Sequence, residues 1–256
     1  MNIKDLYKNP KKIVVTAHRG FSGRYPENTI LAFEKAFETG ADLIEFDLRL
    51  TKDGVPIVSH DATLKRVYNE DIKIASLTFR ELKERGSKVE SAGPAASIPS
   101  FREVLDFFTC LKRSERKGLN IQIKETEESL LQQACNMFKE YELYNNAYFT
   151  VSTFETAEKI KELDSGIEIC ILERKREYDD ALLIAMKNFG CTFIQPHRRD
   201  MTIDFVQKIK NIGFLANLYY SNTDGDNKLF ISYGIQGILT DYPDILISSV
   251  HSLNLM

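Results

Sequence analysis

From residue 100 to the C-terminus the chain alternates short apolar runs with longer amphipathic stretches and never breaks that rhythm. The pattern predicts helix 101–111, strand 119–124, helix 127–141, strand 147–152, helix 155–163 and strand 167–172. It continues with helix 178–188, strand 192–195, helix 202–212, strand 214–218, a short helix 227–233, strand 237–240 and a terminal helix from Pro243. Parallel strands need crossovers long enough to hold a helix, which is what these spacings supply. With a first strand at 13–17 and another through 44–48, the count reaches eight β/α repeats in 256 residues. That number and length favour a closed (β/α)8 TIM barrel over an open doubly wound sheet, and no glycine-rich dinucleotide fingerprint follows the first strand. The expected organisation is one domain over 1–256.

The first repeat carries the polar information. Strand 13–17 delivers His18-Arg19-Gly20 into a turn, Asn28 is expected to cap helix 29–39, and Gly40 ends it. In the next strand alternate side chains share a face, so Glu45 and Asp47 project together while Ile44, Phe46 and Leu48 project the other way. Two carboxylates buried side by side resist joint ionisation, and a cation resolves the conflict. Thr51-Lys52-Asp53-Gly54 is too short for a crossover, so the return strand 56–60 forms an accessory hairpin that brings His60 back towards the carboxylates. Segment 62–99 then interrupts the alternation, with one weak helical piece at 78–85 and apolar content too thin for a core of its own. It reads as a small inserted cap.

A net charge of −3 provides no global attraction to nucleic acid or anionic membrane. Cys110, Cys135, Cys170 and Cys191 show no ligand-like spacing and are expected to be reduced. The first twelve residues lack an apolar signal core and no run is long enough to span a bilayer, so the expected location is cytoplasmic and without stable membrane insertion.

In (β/α)8 barrels the chemistry sits at the C-terminal ends of the strands. Those ends supply His18, Arg19, Glu45, Asp47, Gln122, Lys124, Ser152, Glu173, Gln195, His197, Asn217, Tyr219 and Asp241. Arg19 and Lys124 can hold a phosphate, one as a fork and one as a point charge. A hard divalent cation on Glu45 and Asp47 would polarise the same group, and His18 and His60 can move protons to and from its ester oxygens. The plainer alternatives are a packed turn residue for either histidine and a solvated strand end for Lys124. His197 reads as loop surface, and His251 has no assigned role.

Taken in order, these residues resemble the glycerophosphodiester phosphodiesterase family, whose barrel is related to that of phosphatidylinositol-specific phospholipases C. The resemblance runs through His18-Arg19-Gly20, Pro26-Glu27-Asn28-Thr29, Ile44-Glu45-Phe46-Asp47, Thr51-Lys52-Asp53-Gly54, His60-Asp61, Asn120 to Lys124 and Thr240-Asp241-Tyr242-Pro243-Asp244. It implies that His18 and His60 are the general base and acid pair, that Arg19 and Lys124 bind phosphate, and that Glu27 supports the His18-Arg19 loop. It also implies that Glu45 and Asp47 bind a divalent ion, Mg²⁺ or Ca²⁺, and that the cap borders the substrate pocket. The implied substrate is a small glycerophosphodiester, cleaved to sn-glycerol 3-phosphate and an alcohol through a cyclic phosphate.

Two positions depart from the family pattern. Gln122 stands where a third, glutamate ligand to the metal is usual, which implies a weaker or altered site. Tyr219 stands where the family has tryptophan on its seventh strand, keeping an aromatic substrate wall with an added hydroxyl. Two other readings stay open at this stage: a lysophospholipase D-like phosphodiesterase, and a binding protein whose catalysis has weakened because of Gln122. Oligomeric state and headgroup preference are not legible.

Overall fold

The structure is a computed structural model and describes residues 2–86, 97–112, 117–173 and 177–255. Helix α1 (Ile3–Lys8) precedes β1 (Val14–His18), α2 (Ile30–Thr39), β2 (Leu43–Leu50) and the return strand β3 (Pro56–Val58). Short helices α3 (Lys65–Tyr68) and α4 (Phe79–Gly86) follow. The alternation then runs α5 (Phe101–Lys112), β4 (Gly118–Ile123), α6 (Glu128–Glu140), β5 (Ala147–Val151), α7 (Phe154–Leu163), β6 (Ile169–Ile171) and α8 (Asp180–Phe189). It ends with β7 (Phe193–Ile194), α9 (Ile203–Ile212), β8 (Leu215–Tyr219), α10 (Asp224–Ser232), β9 (Gly237–Thr240) and α11 (Pro243–Ser252).

Among the described residues the parallel strands run in the order β6-β5-β4-β2-β1-β9-β8-β7, β3 pairs antiparallel with β2, and β6 lies beside β7 at the closing seam. This is the (β/α)8 barrel expected, with its accessory hairpin. The strands are buried along most of their length, because helices cover the outside while side chains fill the inside. Ile44, Phe46 and Leu48 of β2 and Ile121 and Ile123 of β4 join the layer under the helices. Registers of Asp47 with Gln122 and of His18 with Glu45 leave the alternate, polar residues of these neighbouring strands side by side.

One sequence expectation needs correction, and one element lies outside what the sequence pattern predicts. Asn28 does not cap α2: Thr29 does, its hydroxyl accepting from the Ala32 amide, while Asn28 adopts φ 57° and turns its side chain to the barrel. Helix α1 was not foreseen, because three apolar residues in a charged segment give too little periodicity. Its Ile3, Leu6 and Tyr7 are buried against Val14, Leu43, Tyr148, Phe193 and Leu215, closing the barrel end opposite the mouth. The helix sits so close that a Cβ on Gly118 would lie 2.7 Å from Ile3, and one on Gly237 would lie 2.7 Å from Tyr7.

Of the expected cap segment 62–99, residues 87–96 lie outside the described residues. In the remainder Leu64, Ile74, Leu77, Leu82 and Ile98 gather around Ile57 of β3. The small cluster forms by borrowing a barrel-side residue, which a sequence reading of the segment alone does not reveal.

Candidate active site

The turn after β1 starts the site. Arg19 and Gly20 both have positive φ, 55° and 79°, and a Cβ at Gly20 would meet the Ala32 backbone at 2.7 Å, so this turn needs glycine there. The resulting bend points the Arg19 amide at Glu45 Oε2 (3.1 Å) and its guanidinium at Glu27, with Nη1 at 3.0 and 3.2 Å from the two oxygens.

Asp47 lies at the centre, fully buried. Its Oδ1 faces Lys124 Nζ at 3.1 Å, and its Oδ2 accepts from Asn28 Nδ2 at 3.1 Å and has Arg19 Nε at 3.6 Å. Lys124 also donates to Gln122 Oε1 at 3.1 Å, so it is no solvated strand end. Burial pushes the Asp47 carboxyl up, but Lys124 and then Arg19 outweigh this and hold it below its usual range. Glu45 goes the other way: burial, reinforced by the charge of Asp47, raises it to about 7. One carboxylate is committed to its charge and the other is poised.

Each histidine is pinned through Nδ1 by a carboxylate. His18 Nδ1 lies 2.6 Å from Asp241 Oδ1, and Asp241 is itself held by Ser22 Oγ (3.1 Å) and Asn222 Nδ2 (2.6 Å). His18 Nε2 is left 4.0 Å from Glu45 Oε2. His60 Nδ1 lies 2.7 Å from Asp61 Oδ1. A carboxylate here only accepts, so the proton resides on Nδ1 and Nε2 is presented to the cleft in both rings. Burial lowers the His60 pKa, with Asp61 opposing. Arg49 donates to the His60 carbonyl from Nε and Nη2 at 2.9 and 2.8 Å and fixes the backbone that carries the ring.

Tyr219 stands edge-on to His18, ring centroids 5.5 Å apart at 81°, and walls a cleft with Gln195, Tyr178 and His197. His197 therefore belongs to the rim of the mouth rather than to a remote loop. Asn217 does not reach the mouth; it is buried inside the barrel against Thr16, and Gln195 is tied to Asn120 at 2.9 Å. Ser152 is exposed, and Glu173 lies near the Phe154 amide at 3.4 Å; neither meets the histidines. His251 is exposed in the last turn of α11.

The structure thus brings together His18, Arg19, Glu27, Glu45, Asp47, Gln122 and Lys124, and joins His60 to them through Asp61, Arg66 and Glu27. Asn28, Asp61, Arg66, Ser22, Asn222 and the role of Asp241 were missed by sequence reasoning. For Asp61 the signal was adjacency to His60, and for Asn28 it was a second capping residue, Thr29, directly after it.

As a metal site the set is oxygen-rich but thin. Glu45, Asp47 and the Gln122 amide offer oxygens, and Asn28 Oδ1 is buried with no hydrogen-bond partner among the described residues. No group of three or more His, Cys, Asp or Glu that could hold an ion occurs among the described residues. Hard oxygen donors of this kind fit Ca²⁺ or Mg²⁺ and do not fit a soft metal.

A parallel barrel whose mouth gathers two oriented imidazoles, an arginine and a lysine around buried carboxylates defines a hydrolase of phosphodiesters. Residues 18–245 match the glycerophosphoryl diester phosphodiesterase family, and the chain belongs to that family. It is 30% identical over 243 residues to the glycerophosphodiester phosphodiesterase of Bacillus altitudinis, covering 90% of this chain and 95% of the relative. To the glycerophosphodiester phosphodiesterase of Bacillus subtilis (strain 168) it is 28% identical over 258 residues, covering 93% and 86%. Its fold is that of an Oleispira antarctica phosphodiesterase solved in complex with the product sn-glycerol-3-phosphate, with TM-score 0.81, 23% identity and coverage of 93% and 96%.

Among the described residues, no helix is long and apolar enough to cross a membrane. The four cysteines are free; Cys135, Cys170 and Cys191 are buried, while Cys110 is exposed rather than packed.

Proposed function

We propose that the chain hydrolyses small glycerophosphodiesters, such as glycerophosphocholine or glycerophosphoethanolamine, to sn-glycerol 3-phosphate and an alcohol, assisted by a divalent ion. The observation that supports this most is the pinning of His18 by Asp241 and of His60 by Asp61, which reserves Nε2 of each ring for substrate, together with the Arg19-Asp47-Lys124 cluster. The product bound to the Oleispira antarctica phosphodiesterase agrees with it.

In this reading Arg19 and Lys124 hold the phosphate oxygens. One imidazole, neutral and with Nε2 bare, takes the proton of the neighbouring glycerol hydroxyl as that oxygen attacks phosphorus, and the other, entering the step as an imidazolium protonated on both nitrogens, gives its Nε2 proton to the departing alcohol oxygen. The resulting cyclic phosphate is opened by water with the two imidazoles exchanging tasks. Glu45, Asp47 and Gln122 would hold the ion, which when bound would stabilise the negative charge that builds on the phosphoryl oxygens. Tyr219 would wall the substrate, Glu27 would hold Arg19 in place, and the 62–99 segment would act as a cap bordering the pocket within a single domain.

The test is release of glycerol 3-phosphate from glycerophosphocholine and glycerophosphoethanolamine, followed by coupling to its dehydrogenase, after chelation and with Mg²⁺ or Ca²⁺ restored. No release above a His18→Ala control with any ion or headgroup would overturn the proposal. Restoring a third carboxylate with Gln122→Glu is expected to tighten divalent-ion affinity by roughly tenfold, since ligand charge sets that affinity. The check is calorimetric titration, in which unchanged affinity would exclude Gln122 from the ligand set.

A further inference from the structure

Arg66 lies on α3, outside the barrel, yet its guanidinium links the two halves of the site. Nε reaches Asp61 Oδ2 at 2.6 Å, while Nη1 and Nη2 reach the two oxygens of Glu27 at 2.6 and 2.8 Å. Both carboxylates are shared with groups that face the phosphate in the proposed reaction. Asp61 also holds His60 Nδ1 at 2.7 Å, and Glu27 also holds Arg19 Nη1 at 3.0 and 3.2 Å. A run of bonds therefore passes from imidazole to carboxylate to guanidinium to carboxylate to guanidinium.

A planar guanidinium donates in fixed directions, so three simultaneous bonds fix the distance and angle between Asp61 and Glu27. An ammonium on a flexible stem keeps the charge but fixes neither. Nearly half of the Arg66 side chain is exposed (47%), so these ion pairs contribute little to fold stability; their effect is on orientation. On the phosphodiesterase reading, we infer that Arg66 is a positioning residue that sets His60 relative to Arg19, and that helix α3 thereby completes the active site.

The variants Arg66→Met and Arg66→Lys in the full chain test this, with kcat and KM for glycerophosphocholine measured separately and the His60 ring followed by ¹⁵N NMR. The expected result is a fall in kcat of about 100-fold in both variants, the scale set by small misplacements of reacting groups, at an unchanged thermal midpoint. The His60 ring, held with its proton on Nδ1 in the native chain, is expected to show mixed tautomers in both variants. Turnover of Arg66→Lys close to native would reduce the role to charge and overturn the inference, and so would an unaltered His60 spectrum in Arg66→Met. If the native chain itself releases no glycerol 3-phosphate, the functional reading fails, while the His60 spectrum still decides whether Arg66 orients the ring.

Discussion

His18→Ala and His60→Ala are each expected to lower turnover of glycerophosphocholine by about 10³-fold, within the range that a positioned general acid or base contributes. The argument rests on orientation. With Nδ1 of His18 fixed 2.6 Å from Asp241, the only ring nitrogen able to exchange a proton with substrate is Nε2, and the same holds for His60 against Asp61. On the proposed mechanism, losing either ring removes half of a relay that donates on one side of phosphorus while it accepts on the other. The double variant is expected to lose little beyond either single one, because residues that act as a unit are not additive. Steady-state kinetics at saturating substrate decide this. A loss below tenfold in either single variant would show that the ring is not in the relay.

Asp47→Asn is expected to abolish activity and to cost about 3–5 kcal/mol of stability, the scale for removing one partner from a buried ion pair. Asp47 is fully buried and its charge offsets both Lys124 and Arg19, whose side chains are themselves mostly buried. Neutralising it leaves the Lys124 ammonium without its carboxylate partner, while Arg19 keeps Glu27. Glu45→Gln provides the contrast. Burial and the neighbouring Asp47 already raise Glu45 to about 7, so keeping it in the fold costs stability at any pH above its unfolded range, and removing its charge should raise metal-free stability at neutral pH or leave it undiminished. Denaturant unfolding of the two variants without metal separates them, and equal destabilisation would refute the division of labour between the carboxylates.

The barrel was legible because the alternation of β2 and β4 follows from strand geometry: Ile44, Phe46 and Leu48 lie under helices while Glu45 and Asp47 do not. The same geometry made the carboxylate pair, Gln122 and Lys124 readable as neighbours, confirmed by the register of Asp47 with Gln122. What stayed hidden depends on turns and on distant chain segments. Asn28 lost the cap to Thr29 through one left-handed residue, which no hydrophobic pattern encodes. Asp241 finds His18 from 223 residues away, and Arg66 finds Glu27 from 39 residues away. Asn217 carried a polar strand-end signal but faces inward at Thr16, because a strand as short as β8 does not show by composition where its end lies relative to the rim.

Helix α1 has a consequence for biosynthesis. Its resting place is assembled from β1, β2, β5, β7 and β8, and Gly237 of β9 completes it. A helix made ahead of all these strands therefore has no berth until the last of them has followed. Burial of Ile3, Leu6 and Tyr7 has to wait for β8 and β9, which places the floor of the barrel among the last surfaces to become dry.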